Sequence, residues 1–386
     1  MRISSNLSAA ELKAQLVRYA QSLGFERVGI TSAQPLQPEE DHLKHWIAGG
    51  RAGEMDYMSR APERRARPAE LLAGAKSVIA LAMTYAAEGA LGGGGDGEKD
   101  DLSAPTAPSS PVLSSVLEGR IARYTAGSDY HKTIGKRLSS FVRYLEAFSP
   151  GAECRTFVDT GPLLERAIAQ RAGLGFIGKN TMLITKGLGS WVFLASVITT
   201  AELPVDSPDE RSCGECRLCI DACPTQAITA AFELDARRCI AYLTIEKDGP
   251  IPEDLRGKTG PWVFGCDICQ EVCPHNARST GAPMELGLAQ ILSIGTEEEF
   301  QKQFSGTALT RAGRDGLLRN ACVAAANLGR ADLVPVLKAL TVSSSPLLRE
   351  HASWAIRKIE VISSRTNASE PSPGSAGPRV AAADLR

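Results

Sequence analysis

Two short cysteine runs constrain this sequence more than any other feature. The first, CGECRLCIDACP (213–224), carries four cysteines at the spacing of bacterial [4Fe–4S] ferredoxins and ends in proline. The second, CDICQEVCP (266–274), has the same ending but only three cysteines, whereas a cluster needs four thiolate ligands. The spacing therefore predicts two clusters and one ligand that lies outside both runs.

Cys239, alone in DARRCIAYL, is the candidate for that ligand. In two-cluster ferredoxins the cysteine before proline binds the other cluster, because the chain crosses between them. This rule predicts one ligand set made of Cys213, Cys216, Cys219 and Cys273, and a second made of Cys223, Cys239, Cys266 and Cys269. Zinc is the alternative, since it also takes C-x2-C pairs, but its sites rarely use such a run. Cys154 and Cys322 are expected to be packing residues.

Length and charge exclude several classes of protein. The chain has 386 residues, a mass of 41.0 kDa and a net charge of −1, which favours two or three soluble domains over a generally basic nucleic-acid coat. Its polar N-terminal stretch lacks a signal-peptide pattern, and no uncharged run is long enough to span a bilayer. We therefore expect a cytoplasmic protein without membrane association, whose cysteines bind metal rather than form disulfides.

The N-terminal part, residues 1–205, has the pattern of an α/β domain. Helical stretches alternate with strand candidates at 25–31, 77–85 and 190–200, and the last two are nearly continuous apolar runs. Such runs are typical of a sheet covered on both faces. The Gly-, Ser- and Pro-rich segment 86–115 is expected to be a flexible insertion in this domain.

The remaining sequence predicts a ferredoxin-like domain over 206–285 and a helical domain over 286–361. In the helical domain, LRNACVAAANLG (318–329) and LREHASWAIRKI (348–359) align with each other, which resembles HEAT-like repeats. A plain helical hairpin is the alternative. The tail, 362–386, is expected to be disordered.

Two features of the N-terminal part are ambiguous from pattern alone. GLGFIG (173–178) matches the dinucleotide-binding fingerprint, but a helix precedes it, so we expect its glycines to end that helix. Asp159, in FVDTGPLLER, is either the N-terminal cap of the helix expected over 161–173, with Pro162 in its first turn, or a functional carboxyl at a strand end.

Basic residues cluster in SRAPERRARP (59–68) and across 120–143. Each cluster is either a solvated face or a patch for the phosphates of a nucleotide-like cofactor or a nucleic acid. His131, which lies in the second cluster, is expected to be an ordinary hydrogen-bonding residue rather than a metal ligand.

Segments distributed along most of residues 8–360 together resemble the epoxyqueuosine reductases. These segments are RARPAELL (65–72), ARYTAGSDYHK (122–132), FVDTGPLLERAIAQRAGLGFIGKN (157–180), the first cysteine run, DARRCIAYLTIE (235–246), GCDICQEVCP (265–274) and REHASWAI (349–356). The resemblance implies reduction of the epoxide of epoxyqueuosine to queuosine at the wobble position of a tRNA with a GUN anticodon. It also implies base-off cobalamin in the α/β domain, electrons delivered through two [4Fe–4S] clusters from a donor that the sequence does not identify, and helical repeats that grip tRNA.

Residue roles follow from the same resemblance. Asp159 matches the family's proposed proton donor, with a pKa expected to be raised by burial beside the corrin. The residues expected to line or adjoin the cobalamin or nucleotide cleft are Arg65, Arg123, Tyr124, Lys179 and Tyr242. The expected tRNA surface combines the basic stretch 120–143 with Arg166, Arg319 and Arg349.

The chain departs from the family pattern at Phe176, where Trp is common, and in LASVITT (194–200), where a Gly-Glu pair is common. DYHKTIG (129–135) has one residue too many for the motif by which other cobalamin proteins bind cobalt through His, so His131 is not assigned to cobalt. The alternatives are a reductive dehalogenase-like enzyme, a cobalamin-free iron–sulfur electron carrier and a tRNA-binding module with structural clusters. A monomer is expected.

Overall fold

The computed structural model describes residues 7–85, 118–276 and 284–368, with side chains as far as 364. The insertion expected over 86–115 lies outside the described residues. The tail was expected to be disordered from 362, but residues 362–368 form the end of the last helix, so that boundary was wrong. The tail beyond 368 lies outside the described residues.

Strands and helices are numbered here along the chain. The strands are β1 (Arg27–Ser32), β2 (Ser77–Thr84), β3 (Gly119–Ile121), β4 (Cys154–Phe157), β5 (Gly175–Ile177), β6 (Leu183–Thr185), β7 (Val192–Thr199), β8 (Ile228–Ala230), β9 (Glu233–Leu234), β10 (Trp262–Phe264) and β11 (Met284–Leu286). The helices are α1 (Ala9–Ser22), α2 (Gln37–Ala48), α3 (Asp56–Ser59), α4 (Pro62–Arg65), α5 (Pro68–Leu71), α6 (Tyr130–Phe148), α7 (Glu165–Arg171), α8 (Leu218–Asp221), α9 (Ile240–Ile245), α10 (Glu253–Arg256), α11 (Ile268–Glu271), α12 (Leu288–Leu292), α13 (Glu297–Phe304), α14 (Gly313–Asn327), α15 (Val334–Leu340) and α16 (Pro346–Ala368).

A four-stranded sheet, in the order β1-β2-β7-β4, forms the centre of the N-terminal part. Residues of β2 alternate between two apolar clusters: Ile79 and Leu81 pack with α1 and α6 on one face, and Val78 and Ala80 pack with α7 on the other. The three expected strands and the coverage of both faces are confirmed. All neighbouring strands are antiparallel, however, so the layers do not arise from the parallel βαβ units typical of α/β domains.

A local sequence signal explains where helix α1 begins, but none marks the start of α7. The Ser8 hydroxyl accepts a hydrogen bond from the Glu11 amide at 3.3 Å, and the Glu11 carboxylate accepts one from the Ser8 amide at 2.8 Å, so a capping box starts α1. Helix α7, in contrast, begins at Glu165 after a Leu164 cap without a side-chain bond. The alternative in which Asp159 caps this helix, with Pro162 in its first turn, is therefore wrong.

The glycines after α7 end the helix and turn the chain, as expected. Gly173 adopts φ 79°, a left-handed conformation that glycine takes at little cost, and the chain then enters β5. Strand β5 pairs with β6 instead of opening a helix, so GLGFIG lacks the context of a dinucleotide site.

The cysteine-bearing part and the C-terminal helices share one apolar core. Leu243 and Val263 from the former pack in the same cluster as Leu318 and Ala355 from α14 and α16. A three-stranded sheet in the order β10-β3-β11 ties this region to the N-terminal part through β3. The core thus crosses the expected boundary at residue 286, and the domain limits given above stay predictions.

The two aligned C-terminal segments correspond to α14 and α16, which pack against each other, and α15 packs against α16. Three packed helices fit either a short repeat or an extended hairpin. Arg319, expected on a tRNA surface, is only 1% exposed and donates hydrogen bonds to the carbonyls of Lys247, Gly249 and Leu243 at 2.6–2.8 Å. That prediction was wrong, because the guanidinium is used to satisfy buried backbone acceptors.

No helix within the described residues has both the length and the apolar character needed to cross a bilayer.

Candidate active site and cysteine groups

Asp159 lies in a tight turn just after β4. Its backbone is left-handed, with φ 55°, a conformation that is uncommon outside glycine and is found most often for residues such as Asp and Asn. The Tyr130 hydroxyl, from the first residue of α6, donates a hydrogen bond to Asp159 Oδ2 at 2.9 Å. The side chain of Asp159 is half exposed, so it remains accessible to a bound molecule.

His131 connects Asp159 to a second carboxylate. Asp129 caps α6 by accepting the His131 amide hydrogen at 3.0 Å, and the same oxygen lies 2.7 Å from His131 Nδ1. The other ring nitrogen, Nε2, lies 3.6 Å from Asp159 Oδ2. The imidazole is thus oriented by Asp129 so that Nε2 faces Asp159.

Arg311, in a short 3-10 turn over Ala308–Ala312, brings a cation to the same carboxyl group. Its Nη1 lies 3.5 Å from Asp159 Oδ2, and its Nη2 lies 2.7 Å from Glu246 Oε1. The Tyr57 hydroxyl lies 3.5 Å from Glu246. Sequence reasoning missed Arg311, Glu246 and Tyr57, because nothing in their local patterns links them to a residue so distant in the chain.

The charges around Asp159 reverse one expectation. The contact with His131 is the largest influence, and together with Tyr130 and Arg311 it lowers the pKa of Asp159, although burial opposes this. The expected rise was therefore wrong for the chain by itself. The pKa of His131 is raised in turn, chiefly by the same contact with the Asp159 carboxylate. Burial, followed by the charge of Asp159, raises the pKa of neighbouring Glu165 to about 8.

Two of the residues expected to line the cleft lie close to Asp159. The Arg65 carbonyl accepts a hydrogen bond from the Leu164 amide at 3.0 Å, and its guanidinium donates to the Tyr57 carbonyl at 2.7 Å. The ring of Tyr124 lies 6.2 Å from that of Tyr130, and burial raises the pKa of its hydroxyl.

The other three expected residues are not brought to Asp159. The Arg123 guanidinium lies over Trp191, 4.6 Å from the ring centre, and 3.4 Å from Glu271. Lys179 donates to the Gly214 carbonyl at 2.7 Å, beside the first cysteine run. Tyr242 is buried, and its hydroxyl accepts the Glu54 amide hydrogen at 2.8 Å.

The first expected cysteine set lines a common cavity. All four of its members, Cys213, Cys216, Cys219 and Cys273, contribute to the walls of this cavity. Burial, followed by the nearby Cys213, is the main reason why the pKa of Cys219 is raised. Phe176 is buried against Cys273, so the departure from Trp lies at this set.

The cysteines of the second expected set affect one another's pKa values, so they lie close together. Burial raises the pKa of Cys269 to about 12, with further contributions from Cys239, Cys219 and Cys223. Burial also raises the pKa of Cys266, and the nearby thiols of Cys239 and Cys269 raise it further. Cys239, distant in sequence from the other ligands, is therefore close to them in space. The influence of Cys219 on Cys269 shows that the two sets adjoin.

Across the parts of the chain that the structure describes, no three side chains among His, Cys, Asp and Glu gather closely enough to hold a single metal ion. A cluster of four irons and four sulfides is a larger body than one ion, so its thiolate ligands are spread more widely.

Comparison with known proteins decides the family. The epoxyqueuosine reductase of Xanthomonas campestris is 40% identical over 356 residues, which cover 89% of this chain and 95% of the relative. The chain belongs to the epoxyqueuosine reductase family. Residues 65–160 also match the family model described as epoxyqueuosine reductase QueG, DUF1730, so the resemblance seen in the sequence motifs is confirmed.

The membership extends to the cysteines. Residues 212–276 match the model of a 4Fe-4S double cluster binding domain, a range that includes both runs and Cys239. The prediction of two [4Fe–4S] clusters from cysteine spacing is confirmed, and this member of the epoxyqueuosine reductase family is an oxidoreductase with a double-cluster domain.

Solved epoxyqueuosine reductases have the same fold. One, determined with an epoxyqueuosine-modified tRNA-Tyr stem loop, is 31% identical, with a TM-score of 0.80 and coverage of 95% of this chain and 96% of the other. The Bacillus subtilis enzyme, determined with its catalytic aspartate loop swung out of the active site, is 32% identical, with a TM-score of 0.78 and 91% coverage of both chains.

The cations expected to bind tRNA divide into two groups. Lys132, Lys136 and Arg143 are exposed along α6, which begins beside Asp159. Arg120 packs over Trp262, and Arg137 donates to the Leu23 carbonyl at 2.7 Å, so both point inward. Two further expected cations, Arg166 and Arg349, are exposed.

Proposed function

We propose that this chain reduces the epoxide of epoxyqueuosine at the wobble position of a tRNA with a GUN anticodon, giving the cyclopentene of queuosine. The observation that carries the proposal is the 40% identity to an epoxyqueuosine reductase over 89% of the chain. The tRNA stem loop bound by a solved relative of 31% identity supports the substrate class.

The reaction fixes what the site must supply. Conversion of an epoxide to an alkene consumes two electrons and two protons and releases the oxygen as water. The oxygen must be protonated as it departs, because a bare oxyanion is a poor leaving group at neutral pH. A route for electrons and a proton donor must therefore meet at the substrate.

For the electron route we propose the ligand sets predicted from the sequence. One cluster is held by Cys213, Cys216, Cys219 and Cys273, and the other by Cys223, Cys239, Cys266 and Cys269. The shared cavity of the first set and the mutual influence of the second set support this division. The ring of Tyr124 lies 6.3 Å from that of Phe264, which comes two residues before Cys266 of the second set.

Base-off cobalamin is the cofactor proposed between the clusters and the substrate. The residues present fit this group, since Arg65 Nε and Arg123 Nε are buried without a hydrogen-bond partner among the described residues, and amide oxygens on a corrin edge are acceptors. Arg65, Arg123 and Tyr124 would hold it, whereas Lys179 and Tyr242 are occupied by other contacts. When bound, cobalamin would supply the electrons for reduction of the epoxide.

Asp159 is the proposed proton donor, and His131 is proposed to keep it supplied. Because its pKa is lowered, Asp159 is ionised in the substrate-free chain and must receive a proton before each turnover. The raised pKa of His131 favours the imidazolium, which would carry a proton on Nε2, 3.6 Å from the Asp159 carboxyl, and which Asp129 stabilises. The chain would therefore move the proton from Nε2 to Oδ2 as the substrate displaces water.

The exposed cations of α6, Lys132, Lys136 and Arg143, are the proposed contacts to tRNA phosphates, with Arg166 and Arg349. A tRNA substrate places the reaction in the cytoplasm. A monomer is the proposed active form.

The test is anaerobic incubation of the cobalamin-loaded protein with epoxyqueuosine-containing tRNA and a low-potential reductant, followed by mass spectrometry of the nucleosides. Loss of one oxygen from the modified nucleoside, dependent on cobalamin, is the expected result. An unchanged nucleoside with corrin bound would contradict the substrate, and failure to bind corrin would contradict the cofactor.

A further inference from the structure

Glu165, the first residue of α7, makes a contact that the proposed chemistry does not use. Its Oε2 accepts the backbone amide hydrogen of Asp159 at 2.9 Å. The bond runs across the turn that carries Asp159, from the start of the next helix back to the residue that follows β4. It joins a rigid element to the main chain of the proposed proton donor.

The Asp159 turn needs such support. A residue other than glycine at φ 55° is maintained only when its surroundings determine the conformation. Within the turn, the Thr160 amide donates to the Val158 carbonyl at 2.6 Å, and the Leu163 amide donates to the Gly161 carbonyl at 2.9 Å. These bonds are local to the loop, whereas the Glu165 bond ties it to α7.

The second oxygen of Glu165 lies in a position that disfavours the charged form of the carboxyl. Oε1 is buried without a hydrogen-bond partner among the described residues, a costly position for half of a carboxylate. The charged groups that act on Glu165 are Asp159, Arg166 and His131. Since burial raises its pKa to about 8, Glu165 is mostly neutral at pH 7.

We propose that Glu165 is a positioning residue: as a neutral acid it accepts the Asp159 amide hydrogen and so holds the Asp159 carboxyl in the active site. The proposal rests on the proposed function in that Asp159 must be the proton donor. The captured outward position of the catalytic aspartate loop in the Bacillus subtilis relative shows that this loop moves in that protein. In this chain, the hydrogen bond from the Asp159 amide to Glu165 would favour the position of the loop in which Asp159 faces the active site.

Hydrogen exchange tests the contact without any substrate. In the purified protein at pH 7, peptides covering 157–164 should exchange about five- to tenfold faster in Glu165→Ala than in the native chain, because the turn loses its hydrogen bond to α7. Glu165→Gln keeps a neutral acceptor and should exchange at the native rate. Glu253→Gln, at the exposed start of α10, is the matched control and should change nothing in this peptide.

The neutral form is tested by pH. At pH 9 the native turn should exchange about threefold or more faster than that of Glu165→Gln at the same pH, because ionised Glu165 must be hydrated and leaves its buried position. A ratio that stays at one would overturn the assignment of the neutral acid. Native exchange in Glu165→Ala would overturn the positioning role itself, whether or not the tRNA reaction is confirmed.

Turnover then separates positioning from general damage. With normal iron content, Glu165→Ala should lower kcat about tenfold with little change in KM for tRNA, and Glu165→Gln should stay within about threefold of the native value. A Gln variant as impaired as the Ala variant would overturn the neutral-acceptor role. If Glu165→Ala does not fold, the comparison of the native chain with Glu165→Gln at pH 9 decides, since equal exchange rates there would overturn the proposal.

Discussion

His131 Nε2 lies 3.6 Å from Asp159 Oδ2, while Nδ1 of the same ring lies 2.7 Å from Asp129 Oδ1. One imidazole is thus shared between two carboxylates that come from different elements. The arrangement orients the ring and favours its charged form. It makes the ionisation of His131 and of Asp159 interdependent, which has consequences for both stability and turnover.

Stability should depend on pH through this pair. The pKa of His131 is raised in the folded chain, so its contribution is fully present below its unfolded pKa of about 6.5 and is lost as the pH rises through the folded value. Asp159, whose pKa is lowered, loses its contribution only in acid. At pH 6, His131→Gln should therefore lower the melting temperature by about 1–3 °C, and this deficit should shrink toward pH 9.

The measurement is a thermal unfolding series from pH 6 to pH 9. His42→Gln, on the exposed face of α2, controls for general surface effects. A deficit in His131→Gln that is constant across this range would show that its charge contributes nothing to stability.

Replacement of Asp159 by Asn should abolish the reaction while leaving the cofactors in place. Asn cannot deliver a proton to the departing oxygen, so turnover should fall about 10²-fold or more. Nucleoside mass spectrometry measures turnover, and iron and cobalt analysis measures content. Asp254→Asn, an exposed position in α10, is the control and should retain full activity. Native turnover in Asp159→Asn would remove the proton-donor role.

Cys239→Ser should remove one cluster and spare the other. Iron should fall from about eight to about four atoms per chain, since each cluster contains four irons. Cys154→Ser is the control, because Cys154 lies in β4 beside Thr199, away from both sets, and its iron content should be unchanged. A full iron content in Cys239→Ser would assign the fourth ligand of the second cluster to another residue.

Removal of the α6 cations should weaken tRNA binding and its salt dependence together. In Lys132→Ala/Lys136→Ala, the slope of log affinity against log salt should become shallower by about 1.5, because two phosphate contacts are lost. Lys76→Ala is the matched control, since Lys76 lies at the end of the central sheet opposite to Asp159 and pairs with Glu202. Equal slopes in the native and doubly substituted proteins would show that Lys132 and Lys136 do not contact tRNA phosphates.

Features with local or stoichiometric signals could be predicted from the sequence. Counting the thiolate ligands that two clusters need pointed to Cys239, and the structure places Cys239 near Cys266 and Cys269. The buried strands were found because β2 and β7 are nearly continuous apolar runs. In each case the prediction rests on a pattern within a few neighbouring residues, or on the fixed number of ligands that a cluster needs.

Features that depend on tertiary contacts could not. Arg311 reaches Asp159 only because the C-terminal part folds back onto the sheet. No local sequence pattern around Arg311 predicts this contact. Arg319 has the sequence context of an exposed helical cation, yet it is buried against backbone carbonyls. The pKa of Asp159 was expected to be raised because burial was considered without the three hydrogen-bonding or charged neighbours that lower it.

The burial of Arg319 also bears on the order in which the protein is made. Its guanidinium holds the carbonyls of Leu243, Lys247 and Gly249, and α9, to which Leu243 belongs, begins directly after Cys239. All eight cysteines of the two proposed ligand sets leave the ribosome before Arg319 does. A nascent chain therefore displays these thiols before Arg319 can hold the segment that carries Cys239, and we expect insertion of the proposed second cluster to be completed only after α14 has been synthesised.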